Sequence, residues 1–388
     1  MLNNEFPPLG GGTGTVNRAL LQQFAQAPEI EIDLVTSALG RASEQERFAE
    51  RIRLFKVPVN NRNVHHSSNR ELLTFAARAL PAALRLHRAQ RYDFCFAWSA
   101  VPAGGVALAL KRLAGLPYLV RVCGPDIPGF ERRYGPLYPL LTPPIRAVWH
   151  GAAAVVAKCA GEADMIRAVD RSIAISLVAN GVDTGAFQRA EIPDGGPLHV
   201  ICVARLIERK GQHHLIEAVR RLIGEGIAVR LDLVGTGDAQ RALQAQAEVA
   251  GVAEAVRFVG YVPREEIAGH YAAAHVFVLP SYNEGMSVAT LEAMAAGLPV
   301  VVTRTGGTVE LVVQEANGLT FDWADVDTLT AHLRRLAADR GLARRMGLAS
   351  RARAERFSWE STALRYRTLF DQIATRSVPE VSSKEVVL

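Results

Sequence analysis

Two glutamates eight residues apart flank the start of a predicted helix, and their arrangement favours binding of hydroxyl groups. Ser287 is a good N-cap residue, so the amides of Gly285, Met286 and Ser287 would point out of a helix N-terminus, where an anion binds well. Glu284 and Glu292 lie on either side, and carboxylates accept hydrogen bonds from hydroxyls. The segment predicts a site for a nucleotide sugar, which carries hydroxyls at both ends and phosphates between them. The alternative is a helix with Glu284 at its favourable dipole end and Glu292 exposed.

Two basic residues follow another predicted strand. Arg205 and Lys210 lie between the apolar run 198–206 and the helical pattern that begins at Gly211. They would stand at the carboxyl edge of a parallel sheet, where ligands of α/β proteins bind. Arginine binds a diphosphate through paired hydrogen bonds and lysine binds it as a point charge. The pair could stabilise a leaving nucleoside diphosphate. The alternative is two solvated loop charges.

Two glycine-rich turns precede helical patterns. Gly235 and Gly237 follow a predicted strand, but Gln240 stands where a dinucleotide fingerprint needs its third glycine. These glycines are therefore expected to allow close backbone approach. Gly11 and Gly12 belong to a loop that can bring its amides close to a phosphate or a sugar. A plain flexible turn is the alternative there.

Short apolar runs alternate with helical patterns, which predicts parallel sheets with crossover helices. In the second half the predicted strands are 198–206, 229–234, 256–259, 276–279 and 299–302, and the predicted helices are 211–223, 238–250, 264–273 and 288–296. In the first half we predict strands at 30–35, 94–98, 118–122 and 153–157 and a helix at 71–91. The glycine cluster at 10–14 lacks a full buried strand before it. The first strand is expected to be truncated, or the natural start to lie upstream.

The composition is that of a globular protein, and the length predicts two or three domains. The chain has 388 residues, of which 49% are hydrophobic and 21% charged, and this balance excludes a disordered chain. Residues 1–190 contain 22 Lys and Arg against 15 Asp and Glu, whereas the remainder contains 22 against 24. The first half is therefore expected to face something anionic. Four scattered cysteines indicate reduced thiols in a cytosolic protein, and neither a signal peptide nor a membrane-spanning run is expected.

Taken together, these segments resemble the retaining family-4 glycosyltransferases of the GT-B fold. The resemblance extends over nearly the whole chain. Its most specific part is Glu284 with Glu292, the E-x7-E motif of that family. The other matching segments are the Gly11-Gly12 loop, the Asn180-Gly181-Val182-Asp183 turn, the Arg205 and Lys210 pair, and the Gly235-Thr236-Gly237 turn.

The resemblance implies an α/β protein with two Rossmann-like doubly wound domains that face each other across a cleft. Residues 1–185 would form the N-terminal acceptor-binding domain, and residues 186–356 the C-terminal domain that binds the nucleotide sugar. A crossover helix at 357–373 would return to the N-terminal domain, and a disordered tail would occupy 374–388.

The resemblance also implies a metal-independent sugar transfer with retention of the anomeric configuration, and no cofactor besides the donor substrate. Glu292 would hold the ribose hydroxyls and Glu284 the sugar hydroxyls. The residues implied in catalysis are Arg205, Lys210 and Glu284. The residues implied in donor binding are Gly11, Gly12, Gly235, Gly237, Tyr261, Val262, Gly285, Met286, Ser287 and Glu292.

One position departs from the family pattern. Many members carry a histidine after the strand that corresponds to 118–122, and Cys123 occupies that place here. A sugar contact is then lost or supplied by another group, such as His65, His66 or Arg121. Arg121, Cys123 and Asp126 are weaker candidates for the acceptor side.

Residues 78–149 combine basic and apolar side chains. Arg78, Arg85 and Arg88 fall on about one helical face, and Arg132 and Arg133 precede an apolar segment. Such a surface could rest on anionic lipid and reach a lipid-linked acceptor. An ordinary solvated helix and loop are the alternative. We expect a cytoplasmic protein with peripheral contact at the inner face of the membrane, and no nucleic-acid partner.

Other functions are compatible with parts of the pattern. A nucleotide-sugar-binding protein without transfer activity is one alternative, and a GT-B epimerase or phosphorylase is another. A dehydrogenase is disfavoured because the chain lacks a G-x-G-x-x-G segment. The residues leave open the donor base (UDP, GDP or ADP), the sugar, the acceptor and the oligomeric state. Surface polysaccharide or glycolipid synthesis is the context that the family suggests.

Overall fold

The structure is a computed structural model that describes residues 1–61 and 67–377. The chain divides into two compact units. Unit 1 contains residues 1–157, 163–178 and, within the described part, 360–377. Unit 2 contains residues 158–162 and 179–359.

Unit 1 is built on a mostly parallel sheet. Its strands are β1 (Ile32–Ala38), β2 (Glu44–Ala49), β3 (Ile52–Pro58), β4 (Cys95–Trp98), β5 (Tyr118–Arg121), β6 (Ala154–Ala157) and β7 (Ile175–Leu177). They pair as β1-β3-β2 and as β4-β5-β6-β7, with β2 antiparallel to β3. Leu2 joins the two groups because it pairs in parallel with Val35 and with Ala97. Leu2 thus takes the position of the first strand in a doubly wound order.

Helices connect these strands. They are α1 (Gly12–Phe24), α2 (Asn69–Gln90), α3 (Gly105–Ala114), α4 (Tyr138–Gly151) and α5 (Ala160–Val169). α2 begins at a capping box in which the Ser68 hydroxyl and the Glu71 carboxylate bond each other's backbone amides. The sequence predicted α2, β1 and β4–β6 but missed the β2–β3 hairpin. The residues of β2 are mostly exposed and lack the alternation that marks a half-buried strand.

Unit 2 has a six-stranded parallel sheet. Its strands are β8 (Leu198–Val203), β9 (Val229–Val234), β10 (Val256–Gly260), β11 (Val276–Leu279), β12 (Val300–Thr303) and β13 (Gly318–Phe321). The spatial order is β10-β9-β8-β11-β12-β13, which is the order of a dinucleotide-binding Rossmann fold. The residues of β8, β9, β11, β12 and β13 are mostly buried, as predicted for a sheet covered on both faces, whereas the edge strand β10 is mostly half-buried.

The helices of unit 2 are α6 (Gln212–Gly224), α7 (Gln240–Val249), α8 (Ile267–Ala272), α9 (Val288–Ala295), α10 (Thr308–Leu311), α11 (Val326–Ala338) and α12 (Arg340–Ala354). The predicted helices of this half agree with α6–α9 to within three residues at each end. Asp325 caps α11 because its carboxylate accepts the Thr328 amide at 2.9 Å.

The last helix, α13 (Trp359–Ser377), belongs to unit 1 from Glu360 onward. Its Tyr366 and Phe370 rings pack against the core of unit 1 at Phe24, Phe94 and Phe96. The helix extends beyond the predicted end at 373 to Ser377, so 374–377 are helical rather than part of a tail. The rest of the predicted tail, 378–388, lies outside the described residues.

Within residues 1–61 and 67–377, no helix is both long enough and apolar enough to cross a membrane.

Candidate functional site

The strand order of unit 2 reverses between β8 and β11. In doubly wound sheets, ligands bind outside the carboxyl ends of the strands at this reversal. The segments that leave these two strands are 204–211 and 280–287. They carry the predicted residues Arg205, Lys210 and Glu284, so the fold brings together at one sheet edge what the sequence separates by more than 70 residues.

Lys210 and Glu284 form an ion pair at this edge. The side chains of Lys210 and Glu284 are only 13% and 16% exposed, so the solvated-loop alternative is wrong for Lys210. Arg209 lies beside them: its Nη1 is 3.8 Å from Glu284 Oε1 and donates a hydrogen bond of 2.8 Å to the carbonyl oxygen of Asn283. Arg209 was not among the predicted site residues, although it directly precedes Lys210.

Burial and neighbouring charges act on both members of the pair. Burial alone would raise the pKa of Glu284, but Lys210 and Arg209 outweigh it and hold that pKa below its ordinary value. Burial lowers the pKa of Lys210, and Arg209 and Arg205 lower it further, whereas Glu284 opposes them. The pair is therefore a charged group held in a poorly solvated place, where an anionic ligand would gain strongly from the cations.

The glycine turn after β9 supports the loop that carries Arg205. A Cβ added to Gly235 would lie 2.1 Å from the carbonyl oxygen of Ala204, and one added to Gly237 would lie 2.1 Å from that of Leu206. Gly235 also has a φ of +130°, which side chains rarely adopt. The predicted close approach of backbone is present, and it is made to the chain's own 204–206 segment.

Glu292 lies inside α9 and is buried, with 7% of its surface exposed, so the alternative of an exposed Glu292 is wrong. The Tyr271 hydroxyl donates to Glu292 Oε2 at 3.2 Å, and Arg264 Nη1 lies 3.4 Å from Glu292 Oε1. Burial raises the pKa of Glu292, and Arg264 and Tyr271 partly oppose that rise. Arg264 and Tyr271 were not predicted from the sequence, since neither lies within 20 residues of Glu292.

The loop between Glu284 and α9 is held from several sides. Ser287 caps α9 as predicted, because its hydroxyl accepts the Thr290 amide at 3.2 Å. The Asn180 side chain donates to the carbonyl oxygen of Met286 at 2.9 Å. Gly285 has no space for a side chain, since an added Cβ would lie 2.2 Å from Glu162 Oε1. These contacts fix the backbone of the predicted donor-binding residues.

The segment after β10 contains Tyr261 and Val262. Tyr261 is 61% exposed, whereas Val262 packs partly against the core of unit 2. The preceding Gly260 accepts a hydrogen bond of 2.7 Å from the Gly235 amide. The predicted donor-binding residues Tyr261 and Val262 therefore adjoin the glycine turn at the same sheet edge.

In unit 1, the predicted acceptor-side residues lie at the end of β5, where Arg121 is the last residue, and in the loop that follows it. Asp126 is buried, and its two carboxylate oxygens accept the amides of Cys123 at 2.7 Å and Ala100 at 2.6 Å. Arg121 is 3% exposed, with its guanidinium 4.6 Å from the centre of the Trp98 ring. Asp126 thus ties the two loops after β4 and β5 together.

Two further predictions concern the glycine pair of the N-terminal loop and the histidines proposed to replace a family histidine. Gly11 and Gly12 lie at the start of α1, where both are exposed and an added Cβ would meet nothing within 4 Å. His65 and His66, the candidate replacements for a family histidine, lie outside the described residues.

Comparison with protein families gives two matches that together extend over most of the chain. Residues 11–181 match the model described as "Glycosyl transferase 4-like domain", and residues 184–353 match "Glycosyl transferases group 1". The chain belongs to this glycosyltransferase family. The first match lies in the part of the sequence predicted to bind the acceptor, and the second contains Arg205, Lys210, Glu284 and Glu292.

Two curated relatives show what this chain is similar to. A GDP-mannose-dependent alpha-(1-6)-phosphatidylinositol monomannoside mannosyltransferase of Mycolicibacterium smegmatis is 36% identical over 215 residues, which are 51% of this chain and 56% of the relative. A putative colanic acid biosynthesis glycosyltransferase, WcaL, of Salmonella typhimurium is 33% identical over 249 residues, 60% of this chain and 58% of the relative. The chain therefore spans little more than half the length of the curated relatives it matches.

Solved structures confirm the GT-B fold of this chain. Sucrose-phosphate synthase of Thermosynechococcus elongatus superposes with a TM-score of 0.83 at 23% identity, covering 94% of each chain. HepE of Anabaena, solved with UDP and glucose, superposes with a TM-score of 0.75 at 18% identity, covering 95% of this chain and 98% of HepE. At these identities the likeness shows the fold alone.

Proposed function

We propose that this protein is a retaining glycosyltransferase that moves a sugar from a nucleotide sugar to a glycan or a lipid-linked acceptor. The observation that carries the proposal is the Lys210–Glu284 ion pair, whose side chains are largely shielded from solvent, at the strand reversal of unit 2 and on the same sheet edge as the loop into α9. A buried ion pair alone is weak evidence for a role in stability. Its position where ligands of this fold bind supports a role in binding a charged substrate.

Each residue of the site is proposed to bind a different part of the nucleotide sugar. Lys210 and Arg205 would bind the diphosphate, and Lys210 would then exchange its bond to Glu284 for bonds to phosphate oxygens. Glu284 would accept hydrogen bonds from the sugar hydroxyls. Glu292 would accept them from the ribose, since each of its oxygens has a second acceptor position. The fixed backbone of the 285–287 loop would present amides to the sugar and phosphates.

Transfer would proceed with attack on the face from which the diphosphate leaves. The bond between the anomeric carbon and the phosphate oxygen breaks, the acceptor oxygen bonds to that carbon, and the acceptor's proton passes to the leaving phosphate. The protein contributes positioning and stabilisation of the leaving charge. Arg205, Arg209 and Lys210 supply positive charge at that place, so we propose that transfer needs no metal ion.

The names of two curated relatives support the two acceptor classes proposed here, a lipid-linked acceptor and a glycan. Their names mention a phosphatidylinositol mannoside and colanic acid biosynthesis, which favours a lipid-linked or polysaccharide acceptor for this chain. Unit 1 also exposes an apolar and basic surface: Leu137 and Leu140 are 39% and 76% exposed, and Arg132 and Arg146 near them are exposed too. We propose that this surface, residues 132–146, contacts anionic lipid at the cytoplasmic face of a membrane.

Calorimetric titration tests the donor part of the proposal. The full chain is titrated with UDP, GDP, ADP and their common sugar conjugates in the presence of EDTA. Binding of one nucleoside diphosphate, weakened about 30-fold in Glu292→Ala, is expected, followed by turnover with candidate acceptors. If the matched nucleotide sugar is interconverted without an acceptor, the protein is an epimerase. If none of the panel binds, the donor site is wrongly assigned.

Vesicle sedimentation tests the membrane part. The protein should sediment with vesicles that contain phosphatidylglycerol and remain free with pure phosphatidylcholine. Leu140→Asp should abolish the sedimentation without changing nucleotide affinity. Leu348→Asp in α12, a leucine 48% exposed, is the matched control on unit 2. Equal behaviour of the two variants would overturn the assignment of residues 132–146.

A further inference from the structure

Glu292 has two side-chain neighbours that no part of the proposed chemistry uses. Arg264 lies just before α8 and Tyr271 lies within it, whereas Glu292 lies within α9. Arg264 Nη1 is 3.4 Å from Oε1, and the Tyr271 hydroxyl is 3.2 Å from Oε2 and 3.3 Å from the carbonyl oxygen of Ala289. Each carboxylate oxygen of Glu292 thus has one of the two neighbours as its partner.

This division leaves the carboxylate able to accept more. An ionised carboxylate has about four acceptor positions, two on each oxygen. Among the described residues, Arg264 and Tyr271 occupy one position on each oxygen, so one position per oxygen stays available. Two acceptor positions on one rigid group match a vicinal pair of hydroxyls. An arginine that contacted both oxygens would have occupied positions on each of them, and this one contacts Oε1 alone.

We propose that Arg264 is a positioning residue of the donor site, which together with Tyr271 keeps Glu292 ionised and oriented so that its two remaining acceptor positions face the ribose hydroxyls. The inference rests on the proposed function, because it assumes that Glu292 binds ribose. It adds a residue 28 positions before the second glutamate of the E-x7-E motif, and a dependence of donor affinity on pH.

The need for a cation here follows from burial. Glu292 is 7% exposed, and a carboxyl group in such a place gains a proton more readily than one in water. A protonated Glu292 would lose acceptor capacity and present a donor to the ribose. Among the described residues, the groups that act on the Glu292 pKa are Arg264 and Tyr271. Cys202 in turn contributes to raising the pKa of Tyr271. Arg264 carries the only positive charge among these groups, so its removal should have the larger effect.

The test measures donor affinity against pH in single variants of the full chain. The dissociation constants of UDP, GDP and ADP are measured by calorimetry from about pH 5.5 to 8.5. Arg264→Met should move the midpoint below which affinity is lost upward by about one pH unit, and weaken binding about tenfold below it. Affinity should approach that of the wild type at the alkaline end, where Glu292 ionises without help. Arg264→Lys should restore most of the wild-type profile.

Three controls separate this role from general damage. Arg304→Met removes another unit 2 arginine from an exposed pair with Asp322, and should leave the profile unchanged. Tyr271→Phe removes only the hydroxyl from a ring packed in the core, and should give a smaller upward shift in the same direction. With 2′-deoxynucleoside diphosphates the penalty of Arg264→Met should shrink, because one of the two hydroxyls is absent.

The outcomes are distinguishable. If the wild-type protein binds none of the three nucleotides at any pH, the proposed function fails and the inference with it. If the wild type binds one of them but Arg264→Met has an unchanged affinity, or a loss that does not vary with pH, the inference is wrong and the proposed function stands.

Discussion

The acidic residues at the carboxyl edges of the two sheets have different hydrogen-bond partners. In unit 2, Glu284 and Glu292 contact the side chains of Lys210, Arg264 and Tyr271. In unit 1, both oxygens of Asp126 accept backbone amides, and these bonds join the loops after β4 and β5.

The difference bears on what each edge can do. A carboxylate paired with a cationic side chain, as Glu284 is with Lys210, can exchange that partner for a ligand, whereas a carboxylate bound to two backbone amides cannot do so without loosening the fold. Two Rossmann-like units in one chain thus place acids at similar edges: the proposed function gives Glu284 and Glu292 to the donor, whereas Asp126 holds two segments of unit 1 together. Four substitutions, three at the acids or their partners and one at the glycine turn of unit 2, test this difference between the two edges.

The largest effect is expected from Lys210→Ala. Loss of a preorganised cation at the leaving group should lower kcat about 100- to 1000-fold, with a smaller change in the KM for the donor. Steady-state kinetics with the matched donor and acceptor would show it. A change confined to KM would mean that Lys210 contributes to ground-state binding alone.

Gly235→Ala should strongly destabilise unit 2. The added Cβ would overlap the Ala204 carbonyl oxygen, and the φ of +130° is unfavourable for alanine. We expect the free energy of unfolding to fall by about 3 kcal/mol. Gly11→Ala is the matched control in unit 1, because an added Cβ there meets open space. Thermal unfolding of both variants makes the comparison, and equal melting temperatures would contradict it.

Glu292→Ala should weaken nucleotide binding without unfolding the protein. Loss of hydrogen bonds to a charged acceptor corresponds to about 2 kcal/mol, or a Kd increase of about 30-fold. Calorimetry with the matched nucleoside diphosphate measures it. Wild-type affinity in this variant would remove Glu292 from the donor site.

In unit 1, Asp126→Asn should lower the stability of the protein and leave donor binding unchanged, the opposite of what is expected for Glu292→Ala. The amide group can satisfy one of the two backbone amides and would point a donor at the other, so the free energy of unfolding should fall by about 1–2 kcal/mol. Donor affinity, measured by the same titration, should stay unchanged. A variant with wild-type stability and reduced turnover would instead assign Asp126 to the acceptor.

Local patterns explain which features the sequence could predict. Strands β9 and β11 match the predicted ranges because buried parallel strands are continuous apolar runs bounded by turns. Glu284, Lys210 and Ser287 could be placed at this sheet edge because each follows such a strand or begins a helix. The pairing of Lys210 with Glu284 follows from the Rossmann strand order, which places β8 beside β11.

Features that depend on tertiary packing could not be predicted in this way. Arg264 and Tyr271 reach Glu292 only because the segment that contains α8 packs beside α9, and nothing in their local sequence marks them. Asp126 resembles an acceptor residue because it follows a strand, and only the structure shows that the Ala100 amide is its second partner. The β2–β3 hairpin escaped prediction because its outer strand is exposed.

The docking of α13 on unit 1 has a consequence for the order in which the chain folds during synthesis. All residues of unit 2 leave the ribosome before α13 is complete, so unit 2 can fold while synthesis continues. Unit 1 begins first but finishes last, because the aromatic face of Phe24, Phe94 and Phe96 stays uncovered until Tyr366 and Phe370 emerge. A fragment cut after unit 1's last strand would therefore expose that face permanently, and the two units cannot be separated by a single cut in the gene.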